Sequence, residues 1–181
     1  MTTALIVLLN MAFAATPVDG SYLRSCYTVN DDDTLQSVID IQADKWTQTH
    51  VAFEDSACKT PYLIYQIEYN VKVGDHDLDL AMARASYTPL SDEVSEALNM
   101  IAYCGFTTWK SHEKKNVTGL LCDEFQVPKA SEVLYSNFKL QMNPDQSVAL
   151  YLGASAQGED GKSVSARYRG TESVPYLKLQ P

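Results

Sequence analysis

The feature that most constrains the fold of this chain is a long stretch in which apolar and polar residues alternate, ending at Val73. The apolar positions are Leu63, Tyr65, Ile67, Tyr69, Val71 and Val73, and the polar positions between them are Gln66, Glu68, Asn70 and Lys72. Successive side chains of an extended chain lie on opposite faces, so this pattern predicts an amphipathic β-strand. Its length favours a strand that runs the full height of a barrel or sandwich.

Shorter segments of strand character follow one another along the rest of the chain, separated by turns rich in Gly, Pro, Asn and Asp. Besides the long strand, we predict strands over 20–27, 34–42, 46–53, 76–88, 107–109, 117–125, 133–140, 148–152, 164–168 and 176–179. Short turns make sequential strands antiparallel neighbours. The sequence therefore predicts a mainly β fold, an antiparallel meander β-barrel of about 8–10 strands.

One helix is predicted near residues 91–103. Ser91 is a suitable N-cap, and the acidic residues Asp92 and Glu93 complement the helix dipole. The apolar residues that recur at helical spacing predict a buried stripe: Val94, Ala97, Leu98, Ile101 and Ala102.

The first residues of the chain have the pattern of a secretory signal peptide over 1–14. An apolar run begins at Ala4 and ends in the small-x-small sequence Ala12-Phe13-Ala14, although no Lys or Arg precedes it. The run is shorter than the roughly 20 residues that a membrane-spanning helix needs. A buried N-terminal strand or helix is the alternative. We therefore expect a secreted or periplasmic protein with one domain over 20–181.

Four cysteines follow the predicted signal peptide, an even number that suits two disulfides in an exported chain. Sequence leaves three pairings open. We prefer Cys26 with Cys58 and Cys104 with Cys122, because each pair closes a loop of moderate length. A zinc site is the alternative, but no two cysteines have the close spacing that structural zinc sites favour.

Two motifs in the chain resemble those of a known class of protein. Gly20-Ser21-Tyr22 with Ser25-Cys26, followed by Phe53-Glu54-Asp55-Ser56-Ala57-Cys58-Lys59-Thr60-Pro61, resembles the pattern of secreted lipocalin-like (calycin-like) domains. Tyr103-Cys104-Gly105, Trp109, Asn116-Val117-Thr118-Gly119 and Cys122 are similar to small exported bacterial proteins of uncharacterised role. The resemblance implies a cup-shaped barrel that holds a small apolar molecule, and it implies no reaction.

A cavity inside the barrel is also predicted from residue sizes. Ala81, Ala83 and Ala85 occupy alternate positions of one strand and would leave space on a shared face. The chain has eleven tyrosines, whose apolar rings and hydroxyls suit the wall of a ligand pocket. The candidate wall consists of strand residues with large side chains: Trp46, Tyr65, Ile67, Tyr69, Met82 and Tyr87.

The remaining features argue against other classes of function. A net charge of -9 is unsuited to nucleic acid, whose phosphates require a basic surface. The three histidines are sparse, and we find no nucleophile elbow, phosphate loop or dinucleotide fingerprint. The acidic cluster at 30–33 lacks the spacing of a calcium loop. We therefore predict no catalytic residue, metal or cofactor.

Two functional hypotheses remain. The first is non-covalent binding of a small hydrophobic or amphipathic ligand in the barrel. The second is an envelope-associated or secreted protein-interaction module, whose barrel is filled and whose protein partner is unknown. A binder requires a cavity of about 300 Å³ or more, whereas an interaction module requires a filled interior and an exposed apolar patch.

Overall fold

The computed structural model describes residues 18–29 and 33–180. The predicted signal peptide over 1–14 and residues 30–32 of the acidic cluster lie outside the described residues. In the described part of the chain, no helix is long and apolar enough to cross a membrane.

The described residues form twelve strands, one α-helix and two short 3-10 helices. The strands are β1 (Gly20–Val29), β2 (Asp33–Gln42), β3 (Lys45–Phe53), β4 (Pro61–Val73), β5 (Asp77–Pro89), β6 (Lys115–Asn116), β7 (Leu121–Cys122), β8 (Phe125–Gln126), β9 (Val133–Met142), β10 (Val148–Ala154), β11 (Gly170–Thr171) and β12 (Tyr176–Lys178). The α-helix, α1, is Asp92–Met100, and the 3-10 helices are Tyr103–Gly105 and Val164–Ala166.

Eight of these strands close into a barrel. Their order around it is β1-β2-β3-β4-β5-β9-β10-β12, and β12 pairs with β1 to complete the ring. Every pairing is antiparallel. The predicted mainly β antiparallel barrel with one helix is confirmed, and its architecture agrees with the lipocalin-like resemblance.

The barrel has two different ends. The tight turns β2–β3, β4–β5 and β9–β10 lie at one end, which we call the turn end. The longer connections β3–β4, β5–β9 and β10–β12 lie at the other, which we call the loop end. Residues 90–132, which connect β5 to β9, are called the insert.

An apolar cluster fills the turn end. Its buried members are Val18, Tyr22, Ile39, Ile41, Trp46, Val71, Leu78, Leu80, Phe138, Leu150 and Tyr176. Because the strands alternate, these side chains converge inside while the intervening residues face out. Burial of this many large side chains supplies most of the apolar stabilisation at this end.

The long strand predicted from the alternating pattern is β4, which spans the barrel as expected. Its neighbour β5 differs from prediction because Ala83 forms a bulge: Glu68 pairs with Arg84, and Tyr69 pairs with Met82. A bulge reverses which alternate positions face inward. The buried positions are therefore Leu78, Leu80 and Met82 before the bulge, and Ala85 and Tyr87 after it.

The alanine face predicted in β5 is consequently wrong. Ala85 is buried, whereas Ala83 is exposed and Ala81 lies with the outward positions. Space inside the barrel does not come from a row of alanines.

The insert is less regular than predicted. Segment 107–109 is not a strand, and segment 117–125 contains two-residue strands joined by turns. Helix α1 begins where expected, with the Ser91 hydroxyl accepting from the Val94 backbone N–H at 3.1 Å. The predicted stripe is partly wrong, because Ile101 is 66% exposed and Ser95 is the buried residue of the helix. Segment 164–168, predicted as a strand, begins with a 3-10 helix.

Both preferred cysteine pairs lie at disulfide distance, with Cα–Cα separations of 5.9 Å for Cys26–Cys58 and 4.0 Å for Cys104–Cys122. The first pair ties β1 to the connection between β3 and β4. The second lies within the insert. Both therefore act at the loop end, where the connections are longest.

Candidate functional site

A cavity of about 370 Å³ lies at the loop end of the barrel. Strands β1 to β5 and the 3-10 helix of the insert supply its lining: Val29, Leu35, His50, Ala52, Tyr62, Leu63, Tyr65, Tyr87 and Tyr103. We call it the tyrosine cavity. Its described lining carries no Lys, Arg, Asp or Glu, so its surface is aromatic and aliphatic with a few polar atoms.

Aromatic rings from adjacent strands form one wall of the tyrosine cavity. Strand pairing places Tyr65 between His50 and Tyr87. The ring centroids are 6.1 Å apart for His50 and Tyr65 and 4.6 Å apart for Tyr65 and Tyr87, and both pairs are close to parallel. Tyr103 of the insert meets Tyr87 edge to face at 5.5 Å. Such contacts hold each ring in one orientation.

A chain of hydrogen bonds holds the histidine. The Tyr27 hydroxyl lies 2.8 Å from the Ser37 hydroxyl, which in turn lies 2.7 Å from His50 Nδ1. Ser37 is fully buried. These residues lie on β1, β2 and β3, so three adjacent strands fix the imidazole at the cavity wall. We call this arrangement the polar chain.

His50 is uncharged at neutral pH. Burial, and secondarily the positive charge of Arg24, lower the pKa of His50 to about 4. Arg24 is itself largely buried, pairs with Glu172, and lies with its guanidinium carbon 4.1 Å from the centre of the Tyr27 ring. Glu172 therefore balances the charge of Arg24, and Arg24 does not line the cavity.

The tyrosines of the cavity are also uncharged at neutral pH. Burial raises the pKa of Tyr65 to about 12, with a further contribution from Tyr103. Burial and a hydrogen bond with Tyr103 raise the pKa of Tyr87 further. The enclosed Tyr65 hydroxyl has no hydrogen-bond partner among the described residues. A buried hydroxyl without a hydrogen-bond partner is energetically costly.

The insert covers one side of the loop end. Trp109 anchors it: the Trp109 backbone N–H donates to Asn99 Oδ1 at 2.6 Å, and its indole N–H donates to the Tyr103 carbonyl at 3.2 Å. The insert and the strands share a second apolar cluster: Ile67, Met82, Ala85, Tyr87, Cys104, Trp109, Val117, Cys122 and Val127. This packing places Tyr103 against the cavity.

A second cavity of about 430 Å³ lies between the insert and the segment before β11. Tyr69, Leu80 and Met82 contribute to its lining, together with Phe125 of the insert. The Phe125 ring also meets Tyr65 edge to face at 6.4 Å. Tyr65 and Phe125 therefore lie in contact, although they line different cavities.

The six residues predicted as a cavity wall do not line one cavity. Tyr65 and Tyr87 line the tyrosine cavity, and Tyr69 and Met82 line the second one. Trp46 is buried in the turn-end cluster, and Ile67 is buried in the cluster shared with the insert. Their role in binding remains a prediction.

His50, Leu35 and Tyr103 are among the lining residues that were not predicted from the sequence. One signal for His50 was present: it shares the inward positions of β3 with Trp46. Pairing β2 and β3 through the Ala43-Asp44 turn would also have placed His50 opposite Ser37. Tyr103 had no such signal, because only tertiary packing of the insert brings it to the cavity.

No group of three His, Cys, Asp or Glu side chains suited to a metal ion occurs among the residues the structure describes. Comparison with known proteins identified no family model and no curated protein that matches the chain.

Proposed function

We propose that this chain is an exported binding protein that holds a small hydrophobic or amphipathic ligand non-covalently in the tyrosine cavity. The observation that carries the proposal is the cavity itself, which is lined by aromatic and aliphatic side chains and is free of charged lining among the described residues. Its volume of about 370 Å³ falls within the range of small-molecule sites, about 300–1,000 Å³.

Two further features support this proposal. The wall is largely prearranged, because the rings stack on one another and the polar chain fixes His50, and prearrangement reduces the entropy lost on binding. Both cysteine pairs lie at disulfide distance, which suits an oxidising compartment outside the cytosol.

The test uses N-phenylnaphthylamine, an uncharged dye whose fluorescence rises in apolar surroundings. Ala52 lines the cavity, so Ala52→Trp should fill it and abolish dye binding. Ala83 is exposed on the bulge of β5, so Ala83→Trp is the matched control and should bind the dye like the wild type. Equal binding by all three proteins would reject the tyrosine cavity as the site.

Native mass spectrometry complements this test. The protein purified from its own host should carry a small molecule in a stoichiometric amount, and organic extraction should release it. Protein that is empty and also fails to take up the dye would contradict the proposal.

A protein-interaction module is the second candidate, and one surface favours it. Met100, Ile101, Leu121 and Phe125 of the insert are 82%, 66%, 59% and 50% exposed. The Cys104–Cys122 pair brings the segments that carry them together. If this patch rather than the cavity takes up the dye, Leu121→Asp should abolish the fluorescence change and Ala52→Trp should leave it unaltered.

A further inference from the structure

We propose that the second cavity is a separate binding site for an organic amine, whose ammonium group is bound by the carboxylates of Glu132 and Asp160 and whose apolar body reaches Tyr69. This inference goes beyond the proposed function, because it concerns a different cavity and a different class of ligand. Three properties of the second cavity lead to it: an anchored wall, an apolar interior with a hydrogen-bonding hydroxyl, and a rim with an excess of negative charge.

The wall that follows β10 is fixed to the start of β9. The Tyr135 backbone N–H donates to the Gly161 carbonyl at 2.7 Å, and the Tyr168 backbone N–H donates to the Tyr135 carbonyl at 3.2 Å. A Cβ atom on Gly161 would lie 2.4 Å from Leu134 Cδ1, so this segment passes directly over that side chain. Gly161 and Tyr168 both line the cavity, and the barrel itself therefore holds this wall in place.

Arg167 holds the same segment from outside the cavity. Its guanidinium donates to the Ser136 carbonyl and to Asp79 Oδ1, both at 2.6 Å. Its Nε also lies 3.6 Å from Asp77 Oδ2. The Arg167 side chain is largely buried and does not line the cavity. Because two carboxylates balance its positive charge, Arg167 does not oppose the binding of a cation.

The interior of the second cavity is apolar and suits the body of the ligand. Leu80 and Met82 come from β5, Tyr69 from β4 and Phe125 from the insert. The volume of about 430 Å³ accommodates a small molecule that carries a ring. Aromatic side chains and the Met82 sulfur are favourable neighbours for such a ring.

Tyr69 also provides a hydrogen-bonding group inside this cavity. Burial raises the pKa of Tyr69, yet part of its side chain is accessible, and that part faces the cavity because Tyr69 lines it. Its hydroxyl has no hydrogen-bond partner among the described residues and, unlike that of Tyr65, is not sealed from contact. A ligand with a hydroxyl on its ring can therefore form a hydrogen bond that an unsubstituted ring leaves unmade.

Two exposed carboxylates lie on opposite sides of the cavity rim. Glu132 ends the insert, and Asp160 belongs to the segment that follows β10. Glu132 Oε2 accepts from the Lys129 backbone N–H at 2.9 Å. Asp160 Oδ1 accepts from the Lys162 backbone N–H at 3.0 Å. Each carboxylate retains a second oxygen, and neither forms an ion pair within the described part of the chain.

Lys162 is the single cation among the described residues that line this cavity. Its side chain is exposed and pairs with no described carboxylate, so two negative charges and one positive charge share the rim. The whole chain carries a net charge of -9. Both the local and the overall charge therefore attract a cation and oppose an anion. An ammonium group at an exposed rim also keeps part of its hydration, which limits the desolvation cost.

Three probes that share a phenyl ring and a three-carbon chain test the charge preference by isothermal titration calorimetry at neutral pH and low salt. They are 3-phenylpropylamine, the neutral 3-phenylpropanol and the anionic 4-phenylbutanoate. We expect the amine to bind about 3–10-fold more tightly than the alcohol, and the anion to bind more weakly than either. Salt at about 0.5 M should reduce the preference for the amine, because it screens exposed charges.

Variants that remove one charge test the rim. Glu132→Gln and Asp160→Asn keep the oxygen that accepts the backbone hydrogen bond. Each should weaken amine binding by about 2–5-fold and leave alcohol binding unchanged, whereas Lys162→Gln should strengthen amine binding by a similar factor. Glu124→Gln is the matched control, because Glu124 is exposed on the neighbouring hairpin and does not line the cavity. It changes the net charge equally and should leave amine affinity unchanged.

The Tyr69 hydroxyl is tested with 4-(3-aminopropyl)phenol, which adds a hydroxyl to the ring of the amine probe. The wild-type protein should bind it about 2–10-fold more tightly than 3-phenylpropylamine. Tyr69→Phe should abolish this gain and leave the affinity for 3-phenylpropylamine unchanged. Because the variant removes a hydroxyl that has no partner among the described residues, folding should be preserved. A gain that persists in Tyr69→Phe would contradict this placement of the ring.

Ala52→Trp, which fills the tyrosine cavity, separates this site from the proposed one. Amine binding should persist in Ala52→Trp, and N-phenylnaphthylamine should not displace the amine from the wild-type protein. Loss of amine binding in Ala52→Trp, or displacement by the dye, would place the amine in the tyrosine cavity and overturn the inference.

The remaining outcomes distinguish the two proposals. Absence of amine binding, equal binding of amine and alcohol, or tighter binding of 4-phenylbutanoate would overturn the inference and leave the proposed function intact. A protein that binds the amine with the expected response to Glu132→Gln, but does not bind the dye, would overturn the proposed function alone.

Discussion

The two ends of the barrel interior are built on the same strands and have different contents. At the turn end, β2 to β5 direct Ile41, Trp46, Val71 and Leu78 into a filled apolar cluster. At the loop end, the same strands direct Leu35, His50, Tyr65 and Tyr87 to the wall of a cavity. One strand can therefore contribute to a packed core at one end and to a cavity wall at the other.

Residue shape and polarity explain the difference. Aliphatic side chains interdigitate and fill space at the turn end. At the loop end, flat rings stack on one another, and the polar chain ties His50 to β1 and β2. These side chains contact one another along the wall and border a cavity of about 370 Å³.

Truncating one leucine at each end should give the largest difference between the two ends in the free energy of unfolding that is lost. Leu78 is fully buried in the turn-end cluster, so Leu78→Ala should lower the free energy of unfolding by about 2–5 kcal/mol. Leu35 already faces a cavity, so Leu35→Ala should cost about 1 kcal/mol. Urea denaturation measures both. Equal losses would show that the loop end is packed as tightly as the turn end.

Removing the disulfide of the insert should loosen the loop end selectively. Cys104→Ser with Cys122→Ser should lower the free energy of unfolding by about 3 kcal/mol, because the unfolded chain gains freedom. Hydrogen exchange should accelerate in the insert and remain slow for amides of β4 and β5 near the turn end. Faster exchange throughout the barrel would contradict the proposed division into two ends.

Acid should destabilise the loop end through His50. The pKa of His50 is lowered from 6.5 to about 4 in the folded protein, so the unfolded state binds a proton more readily between these pH values. Stability is therefore lost as pH falls from about 6.5 to about 4, by up to about 3 kcal/mol. The charged groups beside His50 are Arg24 and its partner Glu172; Ser37, Tyr27 and Tyr65 face it without charge.

The control for this pH dependence is His50→Gln, which cannot take up a proton in this range. Its free energy of unfolding, measured by urea denaturation, should fall less than that of the wild type between pH 6.5 and 4.5. Asp55 and Asp145 have lowered pKa values and should titrate below this window in both proteins. Parallel pH profiles would mean that His50 is not held neutral by the fold.

The smallest effect is expected at an unpartnered hydroxyl of the turn end. The Tyr22 hydroxyl is buried and has no hydrogen-bond partner among the described residues. Tyr22→Phe removes this unsatisfied group, so thermal unfolding should show unchanged stability or a gain of about 1 kcal/mol. A clear loss would indicate that the hydroxyl has a hydrogen-bond partner in the folded protein.

The fold could be predicted largely because hydrophobic alternation and turn chemistry are local signals. The alternation that predicted β4 and the turn at Ala43-Asp44 both appear in the structure. The bulge at Ala83 was missed, although the large apolar residues change phase from Leu78, Leu80 and Met82 to Tyr87, because the alternate alanines between them conceal the change. Residues of the insert, such as Trp109, are ordered by tertiary contacts and a disulfide, and they show little alternation.

Part of the candidate site was predictable, because alternation along a strand identifies its inward-facing residues. Tyr65 and Tyr87 were selected as inward-facing aromatic residues of predicted strands, and they line the cavity. Trp46 satisfied the same criterion but lies in the filled cluster. Position along the barrel axis distinguishes these cases, and it depends on strand register, which only the assembled barrel fixes.

The most direct test of a hollow loop end is to locate a bound probe by nuclear Overhauser effects. N-phenylnaphthylamine bound to the wild-type protein should show these effects to ring protons of Tyr65 and Tyr87, and none to Trp46 in the filled end. That result would place the ligand in the tyrosine cavity. Contacts to Met100 and Leu121 alone would place it on the surface of the insert and contradict the account of a hollow loop end.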